Sequence, residues 1–308
     1  MKIGILLSYK GLGTNLLHLS YCHEIAKKYG PVTIITLCHN LEEVLKKDPL
    51  IKEVIYLNKF YKKFIDIINL SKFLKNLNLN SIFIFYPSLR YTISSKIAGI
   101  KNIHTYPLFK KKKLHLVNAA KIFVEKKLNI KNCPTETTLY VDADEPKEIT
   151  NINKKVFVLG VGSSGPTTRW GAKNYISLIK ELNKKNDYFF YLLCGPNENH
   201  VAQDIMDNVG KTNCASLSGK KIFEIIPILS HCKIYIGNDS FGHHVTSQRG
   251  IPSFVIILDT PRAYTDYSIN QFRILPRGIN ENHITHDSAF NSNSITVEMV
   301  MEKIKKFI

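Results

Sequence analysis

Apolar and polar positions alternate along this chain with two different periods. Short runs rich in Ile, Val and aromatics read as buried strands: "KIGILLS" (2–8), "VTIITLC" (32–38), "EVIYL" (53–57) and "SIFIFYP" (81–87). Between them the apolar residues recur at helical spacing over residues 14–29, 40–47 and 61–77, with Lys and Asn on the polar side. Alternation of strand and helix predicts an α/β fold, a parallel sheet with helices on both faces.

The rhythm breaks at 131–155, "KNCPTETTLYVDADEPKEITNINKK", where two prolines and an acidic cluster read as a linker. It then restarts. Strands are predicted at 156–164, 188–195, 233–239 and 252–258, and helices at 172–185, 199–209, 221–232 and 243–250. The pattern divides the chain into a doubly wound domain over 1–145, a second over 146–294, and an amphipathic helix over 295–308 that packs back on the first domain. Two such domains imply a cleft, and ligands of these sheets bind outside the carboxyl ends of the strands.

Composition narrows the class. The 308 residues are 44% hydrophobic and 22% charged, which excludes a disordered chain. No apolar run reaches the roughly 18 to 20 residues that span a bilayer. The apolar N-terminus reads as a first strand rather than a signal peptide. Six scattered cysteines without C-x-x-C pairs or zinc spacing point to reduced thiols in a cytoplasmic protein.

The formal charge of +17 attracts polyanions: nucleic acid, anionic lipid or phosphorylated substrates. Lys, Asn and Ile are abundant throughout, so much of that charge is background. The run Lys110–Lys113 reads as a solvated loop, or as a basic patch for docking on an anionic membrane. No nucleic-acid motif accompanies the charge.

Candidate chemistry lies just after the strands. After the strand at 156 comes "SSGPTTRW", where Ser163, Ser164 and Arg169 suit a phosphate, or where a serine merely caps a turn. After the strand at 188 comes "GPNE", whose Glu198 suits a ribose diol or a helix start. After the strand at 233 comes "NDSFGHH". Asp239 and Ser240 lead into a short helix whose N-terminus suits a diphosphate, with His244 one turn on, or they form a cap above a core histidine. Adjacent histidines on a helix point about 100° apart, and no third residue has ligand spacing, so no metal is expected. Near the N-terminus "YKGLGTN" (9–15) is a G-x-G turn from strand to helix, a weak phosphate fingerprint by itself.

Taken together these segments resemble glycosyltransferase family 9, the heptosyltransferase family. "GNDSFGHHVTSQRGIPSFVIILDTP" is similar to its C-terminal signature at Asn238, Asp239, Ser240, His244, Gly250, Pro252, Thr260 and Pro261. "GSSGPTTRWGAKNYISLI" matches a further segment at Trp170, and "LLCGPNE" and "DPLIKEVIYL" resemble others. The opening strand, glycine loop and first helix are similar as well. The resemblance covers about 1–57 and 156–261; residues 60–150 carry no usable motif.

The resemblance implies a GT-B fold, two Rossmann-like domains facing a central cleft. It implies inverting transfer of a heptose-like sugar from a nucleotide-diphospho-sugar, ADP-heptose in the known cases, to a lipopolysaccharide-type or other glycan acceptor. No cofactor or metal is implied, and the enzyme would work in the cytoplasm at the inner face of the plasma membrane. Donor contacts are implied for Ser163, Ser164, Glu198, Asp239, Ser240, Gly242 and His244, with charge from Arg169. The loop with Gly13, Thr14 and Asn15 would face the acceptor.

Departures from the pattern are specific. The family's loop ends Gly-Asp, and that Asp is taken as the general base; here Thr14 follows Gly13. A threonine hydroxyl has no accessible deprotonated form near neutral pH. His18, one helical turn on, and Asp266 are the candidates for a relocated base. Thr168 replaces the family's Lys before Trp, Phe241 its Gly, and Leu258–Asp259 its Gly-Pro. The alternatives are a non-catalytic nucleotide-sugar-binding homologue that has lost the base, and another GT-B reaction such as epimerisation or hydrolysis.

Overall fold

The computed structural model describes every residue except 59–64, 107–115, 164, 166–167, 185 and 289. Two compact units divide the chain, Met1–Tyr140 and Val141–Ile308. The break lies within the expected linker, five residues before the expected 145/146 boundary.

In the first unit β1 (Ile3–Leu7), β2 (Val32–Thr36), β3 (Ile51–Tyr56), β4 (Ser81–Ile84) and β5 (Asn102–Thr105) form a parallel sheet in the order β3-β2-β1-β4-β5. Ile5 stands between Ile34 and Phe83, and all three are fully buried. Burial on both faces is why these strands read as continuous apolar runs. The helices are α1 (Leu12–Leu17), α2 (Leu19–Tyr29), α3 (Leu41–Leu45), α4 (Ile65–Asn76), α5 (Leu89–Ile97) and α6 (Leu116–Leu128). The crossovers β3-α4-β4 and β4-α5-β5 step the same way across the sheet. Right-handed connections therefore put α4 and α5 on one face and α2 on the other. Ser94 Oγ on α5 donates to the Ile67 carbonyl on α4 across 3.1 Å.

One helix expected over 14–29 is two. The His18 amide pairs with the Asn15 carbonyl, and His18 Nδ1 donates to the Thr14 carbonyl at 2.7 Å. The imidazole thus takes the acceptor that a continuous helix would give to the His18 amide. The linker's first part is tied down: Ser20 Oγ donates to the Pro134 carbonyl at 2.8 Å, and His23 bridges Thr137 Oγ1 and Asp48 Oδ2 at 2.7 Å each.

In the second unit β6 (Lys155–Gly160), β7 (Tyr188–Leu193), β8 (Cys214–Ser216), β9 (Ile234–Asn238), β10 (Ser253–Ile256) and β11 (Gln271–Ile274) form a parallel sheet in the order β11-β10-β9-β6-β7-β8. Its helices are α7 (Lys147–Thr150), α8 (Ala172–Leu182), α9 (Asn199–Val209), α10 (Ile222–His231), α11 (Phe241–Gln248) and α12 (Val297–Ile304). On α8 the buried residues Tyr175, Leu178, Ile179 and Leu182 follow the i, i+3, i+4, i+7 spacing of a core-facing stripe. At the sheet centre β6 and β9 approach through glycine: a Cβ on Gly237 would lie 2.5 Å from the Gly160 backbone.

Strands β5, β8 and β11 fall outside the expected set. Each is a sheet edge, short and partly polar ("NIHT", "CAS", "QFRI"), without the apolar run of a central strand. The tail helix is also corrected. Expected to pack back on the first domain, it is part of the second unit, with Ile295, Val300 and Ile304 buried in that unit's core beside Trp170 and Phe254. All six cysteines are buried free thiols.

Candidate active site

In the second sheet β6 lies between β9 and β7, so the three strand ends that carry the candidate residues are neighbours. The chain runs β6-β7-β8 one way and β9-β10-β11 the other. The order therefore reverses between β6 and β9, where open α/β sheets hold their ligands. Ser163 follows β6 and Asp239 follows β9.

Asn238, the last residue of β9, laces these loops together. Its Oδ1 accepts from the Trp170 amide at 2.9 Å and the Tyr175 hydroxyl at 3.1 Å, while its Nδ2 donates to the Val161 carbonyl at 3.0 Å. Trp170 Nε1 donates to the Ile295 carbonyl at 2.7 Å. The signature residues Asn238 and Trp170 thus hold the site's walls and do not face a ligand.

Asp239 is the ionised centre. Its side chain is 21% exposed; Oδ1 accepts from His243 Nε2 at 2.6 Å and Oδ2 from Thr260 Oγ1 at 3.0 Å. Burial pushes the carboxyl up, but the hydrogen bond from His243, the neighbouring imidazoles and Thr260 outweigh it and hold the group below the ordinary carboxylate range. His243 is fully buried. Gln271 Oε1 accepts from the Tyr267 and Ser268 amides at 3.1 and 3.3 Å, which turns Gln271 Nε2 onto His243 Nδ1 at 3.1 Å. An amide nitrogen can only donate, so Nδ1 accepts and the ring proton sits on Nε2, facing Asp239. His243 was not among the candidates. Its Asp239 partner four residues earlier was the available signal, one turn along the same helix.

His244 is buried and does not supply charge. Its Nδ1 lies 2.7 Å from the Tyr267 hydroxyl, and burial next to His243 holds it well below the usual imidazole range, hence neutral. Of the two readings, the core histidine is the one seen. Ser240 does not cap α11; its Oγ lies 2.9 Å from the Tyr235 hydroxyl, which also reaches the Asn238 carbonyl. Gly242 makes room for protein rather than ligand: a Cβ there would lie 2.6 Å from both Leu193 Cδ2 and Tyr235 Cε2.

Glu198 ties two loops. Its Oε1 accepts from the Ser163 amide at 2.9 Å and from Arg169 at 2.9 Å, and its Oε2 accepts from the Gly195 amide at 3.2 Å. Its carboxylate therefore starts the 196–198 turn and anchors the β6 loop. Arg169 is 35% exposed, and its Nε is buried with no partner. Ser163 is 7% exposed and its hydroxyl pairs with Thr168. Ser164 and Lys110–Lys113 lie outside the described residues.

Asp239, His243 and His244 place three ligand-type atoms within 4.8 Å of one another, which corrects the expectation that the adjacent histidines have no third residue at ligand spacing. Asp239 precedes the helix and closes the gap that two adjacent helical residues leave. A metal ion would need the Nε2 lone pair of His243, and Gln271, by donating to Nδ1, keeps the proton there.

In the first unit the sheet order reverses between β1 and β4. Thr14 and Gly13 sit half-buried in the first turn of α1. Asn15 is a staple: its Nδ2 donates to the Tyr9 and Gly11 carbonyls at 3.0 and 2.7 Å, and its Oδ1 accepts from Thr36 at 2.7 Å. With those bonds made, Asn15 is buried and holds the loop. His18 is not exposed. It is fully buried, stacked on Tyr9 at 4.9 Å, with Nε2 unpaired, and burial lowers it to about 4. The ring is therefore neutral and packed in the core of its unit. Asp266 is ion-paired with Arg262. The strand ends here carry half-buried Tyr9 and Tyr86, their rings 6.2 Å apart, with the Tyr9 hydroxyl donating to the Phe85 carbonyl at 2.9 Å. Both lie just past strands, the rule that found Asp239.

A surface groove of about 780 Å³ between α8 and α12, lined by Asn174, Ser177, Glu181 and Thr296 among others, shares no residue with the strand-end cluster.

Two doubly wound parallel units in one chain define a GT-B protein, and solved structures agree along the whole length. E. coli ADP-heptose LPS heptosyltransferase II superposes with a TM-score of 0.77 at 17% identity, covering 100% of this chain and 98% of that one. A glycosyl transferase family 9 protein from Veillonella parvula gives 0.75 at 17% identity, over 99% and 96%. E. coli heptosyltransferase WaaC with ADP gives 0.74 at 13% identity, over 100% of both chains. No curated protein matches the chain in sequence. The model of glycosyltransferase family 9 (heptosyltransferase) matches residues 94–271, more than half of the chain. The chain belongs to that family, and is thus a glycosyltransferase of the heptosyltransferase type.

Proposed function

We propose that the chain catalyses inverting transfer of a heptose-like sugar from a nucleotide-diphospho-sugar, of the ADP-heptose kind, to a lipopolysaccharide-type or other glycan acceptor. The observation that carries this reading is the ionised, partly exposed Asp239 at the β6–β9 reversal, amid three tied loops. The structures of WaaC with ADP and with ADP-2-deoxy-2-fluoro heptose support the donor class.

In such a transfer an acceptor hydroxyl forms the new bond to the anomeric carbon as the bond to the diphosphate breaks on the opposite face. Asp239 accepts hydrogen bonds from sugar hydroxyls. Arg169 and the N-terminus of α11 meet the leaving diphosphate, in place of a metal or cofactor. His244, neutral and buried, supports Asp239 from behind rather than binding the anion. Thr14 orients the acceptor hydroxyl without removing its proton, which passes to solvent water as the new bond forms, and the rate comes from positioning and from the stabilised leaving group. We assign the reaction to the cytoplasm.

A second reading, a nucleotide-sugar-binding homologue without turnover, is favoured by Thr14 standing where the family has its base. One assay separates the two. The protein is incubated with ADP-heptose and other nucleotide sugars, with and without a lipid-A-type acceptor, and nucleotide diphosphate release is measured. Acceptor-dependent release supports the transferase; donor binding with no release from any donor overturns it.

A further inference from the structure

We infer that the outward faces of α4 and α5 form a docking surface for an anionic lipid leaflet. On α5, Leu89, Ile93 and Ile97 are 60%, 41% and 60% exposed. They stand at i, i+4 and i+8, a stripe along one side of the helix, opposite the buried Tyr91, Ser94 and Ser95. On α4, Ile65 and Ile68 are 57% and 45% exposed, opposite the buried Ile67, Leu70 and Leu74. The two helices are neighbours on one face of the sheet, joined by the Ser94–Ile67 bond, so the stripes lie side by side. A soluble surface scatters its large aliphatic side chains singly; five on two adjacent helices make a patch.

Charge selects the occupant. From Ile65 to Lys101 the sequence has one acid, Asp66, against Lys72, Lys75, Arg90, Lys96 and Lys101. The four lysines are exposed, and Lys72 and Lys96 lie on the outward sides of their helices beside the apolar stripes. An apolar face rimmed by lysines is the pattern that lies in the plane of an anionic interface, aliphatic groups in the acyl boundary and ammonium groups at the phosphates. No helix among the described residues is long and apolar enough to cross a membrane, so contact through these helices would be peripheral. This surface is separate from Lys110–Lys113 and does not depend on the donor reading.

The test uses the full chain and sedimentation with phosphatidylcholine vesicles, with and without phosphatidylglycerol. The wild type is expected to bind the anionic vesicles and to lose binding as salt rises. Ile93→Glu with Ile97→Glu should weaken that binding at least ~10-fold, since it removes apolar contact and adds repulsion. Lys72→Gln with Lys96→Gln, which leaves the apolar stripe intact, should weaken it by roughly 10-fold or more, a few-fold per lysine. Ile122→Glu on α6, 53% exposed but on a helix packed against α2 on the other face, should leave it unchanged. Absent binding by the wild type, or equal loss with Ile122→Glu, overturns the inference. So does a concentration-dependent dimer in sedimentation velocity that Ile93→Glu abolishes, which would assign the patch to a second copy of the chain.

Discussion

His243 Nε2 lies 2.6 Å from Asp239 Oδ1, and Gln271 fixes the direction of that bond by donating to the far side of the same ring. The result is a carboxylate that stays ionised although burial opposes it. A carboxyl held below its unfolded value adds stability above the ordinary carboxylate range, and that stability is lost as pH falls through the folded value. His243→Phe removes the stronger donor and leaves Thr260 as the remaining side-chain donor against burial. We expect the variant to be less stable near neutral pH by about 2 kcal/mol. The loss of stability that Asp239 contributes as pH falls through its folded value should flatten in the variant. Urea unfolding followed between pH 3 and 7 measures both; an unchanged acid limb would show that Asp239 is not held by His243.

His18 sets a second pH dependence. Its folded value of about 4 lies below the ordinary 6.5. The unfolded chain therefore binds its proton first as pH falls, and stability drops between roughly 6.5 and 4. The drop approaches roughly 3 kcal/mol at the acid end, at about 1.4 kcal/mol per pH unit. His18→Leu should flatten the stability profile across this window while losing the bond to the Thr14 carbonyl. If the slope persists in His18→Leu, the neutral buried ring is not its source.

The architecture was legible because central strands carry unbroken apolar runs. What escaped were edge strands such as "NIHT" at β5, where one side lacks a partner and polar residues enter. The strand-end rule located Ser163, Glu198 and Asp239, and the fold places them on neighbouring strands. It could not tell which matched residues face outward. Trp170, Asn238 and Gly242 match or adjoin the signature yet serve packing, and His244 points inward. Burial direction on an eight-residue helix depends on what covers it, here β10 and, 23 residues beyond His244, Tyr267. Asn15 looked available because a loop asparagine has four bonding sites; three of its contacts are made within the first unit.

The two central glycines give a graded stability prediction. A Cβ on Gly237 meets backbone atoms of Gly160 at 2.5 Å, and backbone in a sheet centre cannot step aside. On Gly242 it meets side-chain atoms of Leu193 and Tyr235 at 2.6 Å, which have some freedom. We expect Gly242→Ala to cost about 1 to 3 kcal/mol, as overpacking does, and Gly237→Ala to cost more. Chemical denaturation of both variants checks the order. Equal costs would mean that the β6–β9 contact is looser than described.

Thr14→Asp tests the first unit. Position 14 is in the first turn of α1, after Gly11 at the N-cap, where a carboxylate is favoured by about 0.3 to 1 kcal/mol. The substitution should therefore leave the fold intact. Since the threonine hydroxyl removes no proton, the aspartate should raise acceptor-dependent diphosphate release by ~10²-fold or more, within the range of general-base effects. The gain should appear as pH rises through the carboxylate range, when the new side chain ionises. A rate unchanged at every pH would show that the proton leaves by another route.

The last prediction concerns the three groups that come within 4.8 Å, Asp239, His243 and His244. In the wild type the donor at Gln271 Nε2 forces the His243 proton onto Nε2, the atom an ion would need. Gln271→Glu keeps an oxygen for the Tyr267 and Ser268 amides and replaces the donor by an acceptor. The ring can then donate from Nδ1 to the new carboxylate, so an ion bridging Nε2 and Asp239 can replace the Nε2 proton. A ligating histidine is ordinarily held in this way, its other nitrogen donating to a carboxylate or carbonyl. We expect Gln271→Glu to gain Co²⁺ or Zn²⁺ binding, read by the visible spectrum of the cobalt form and by calorimetry. Wild type and Gln271→Leu serve as the references without that carboxylate. Tight cobalt binding by the wild type would overturn the tautomer assignment, since it needs the lone pair that Gln271 is said to deny.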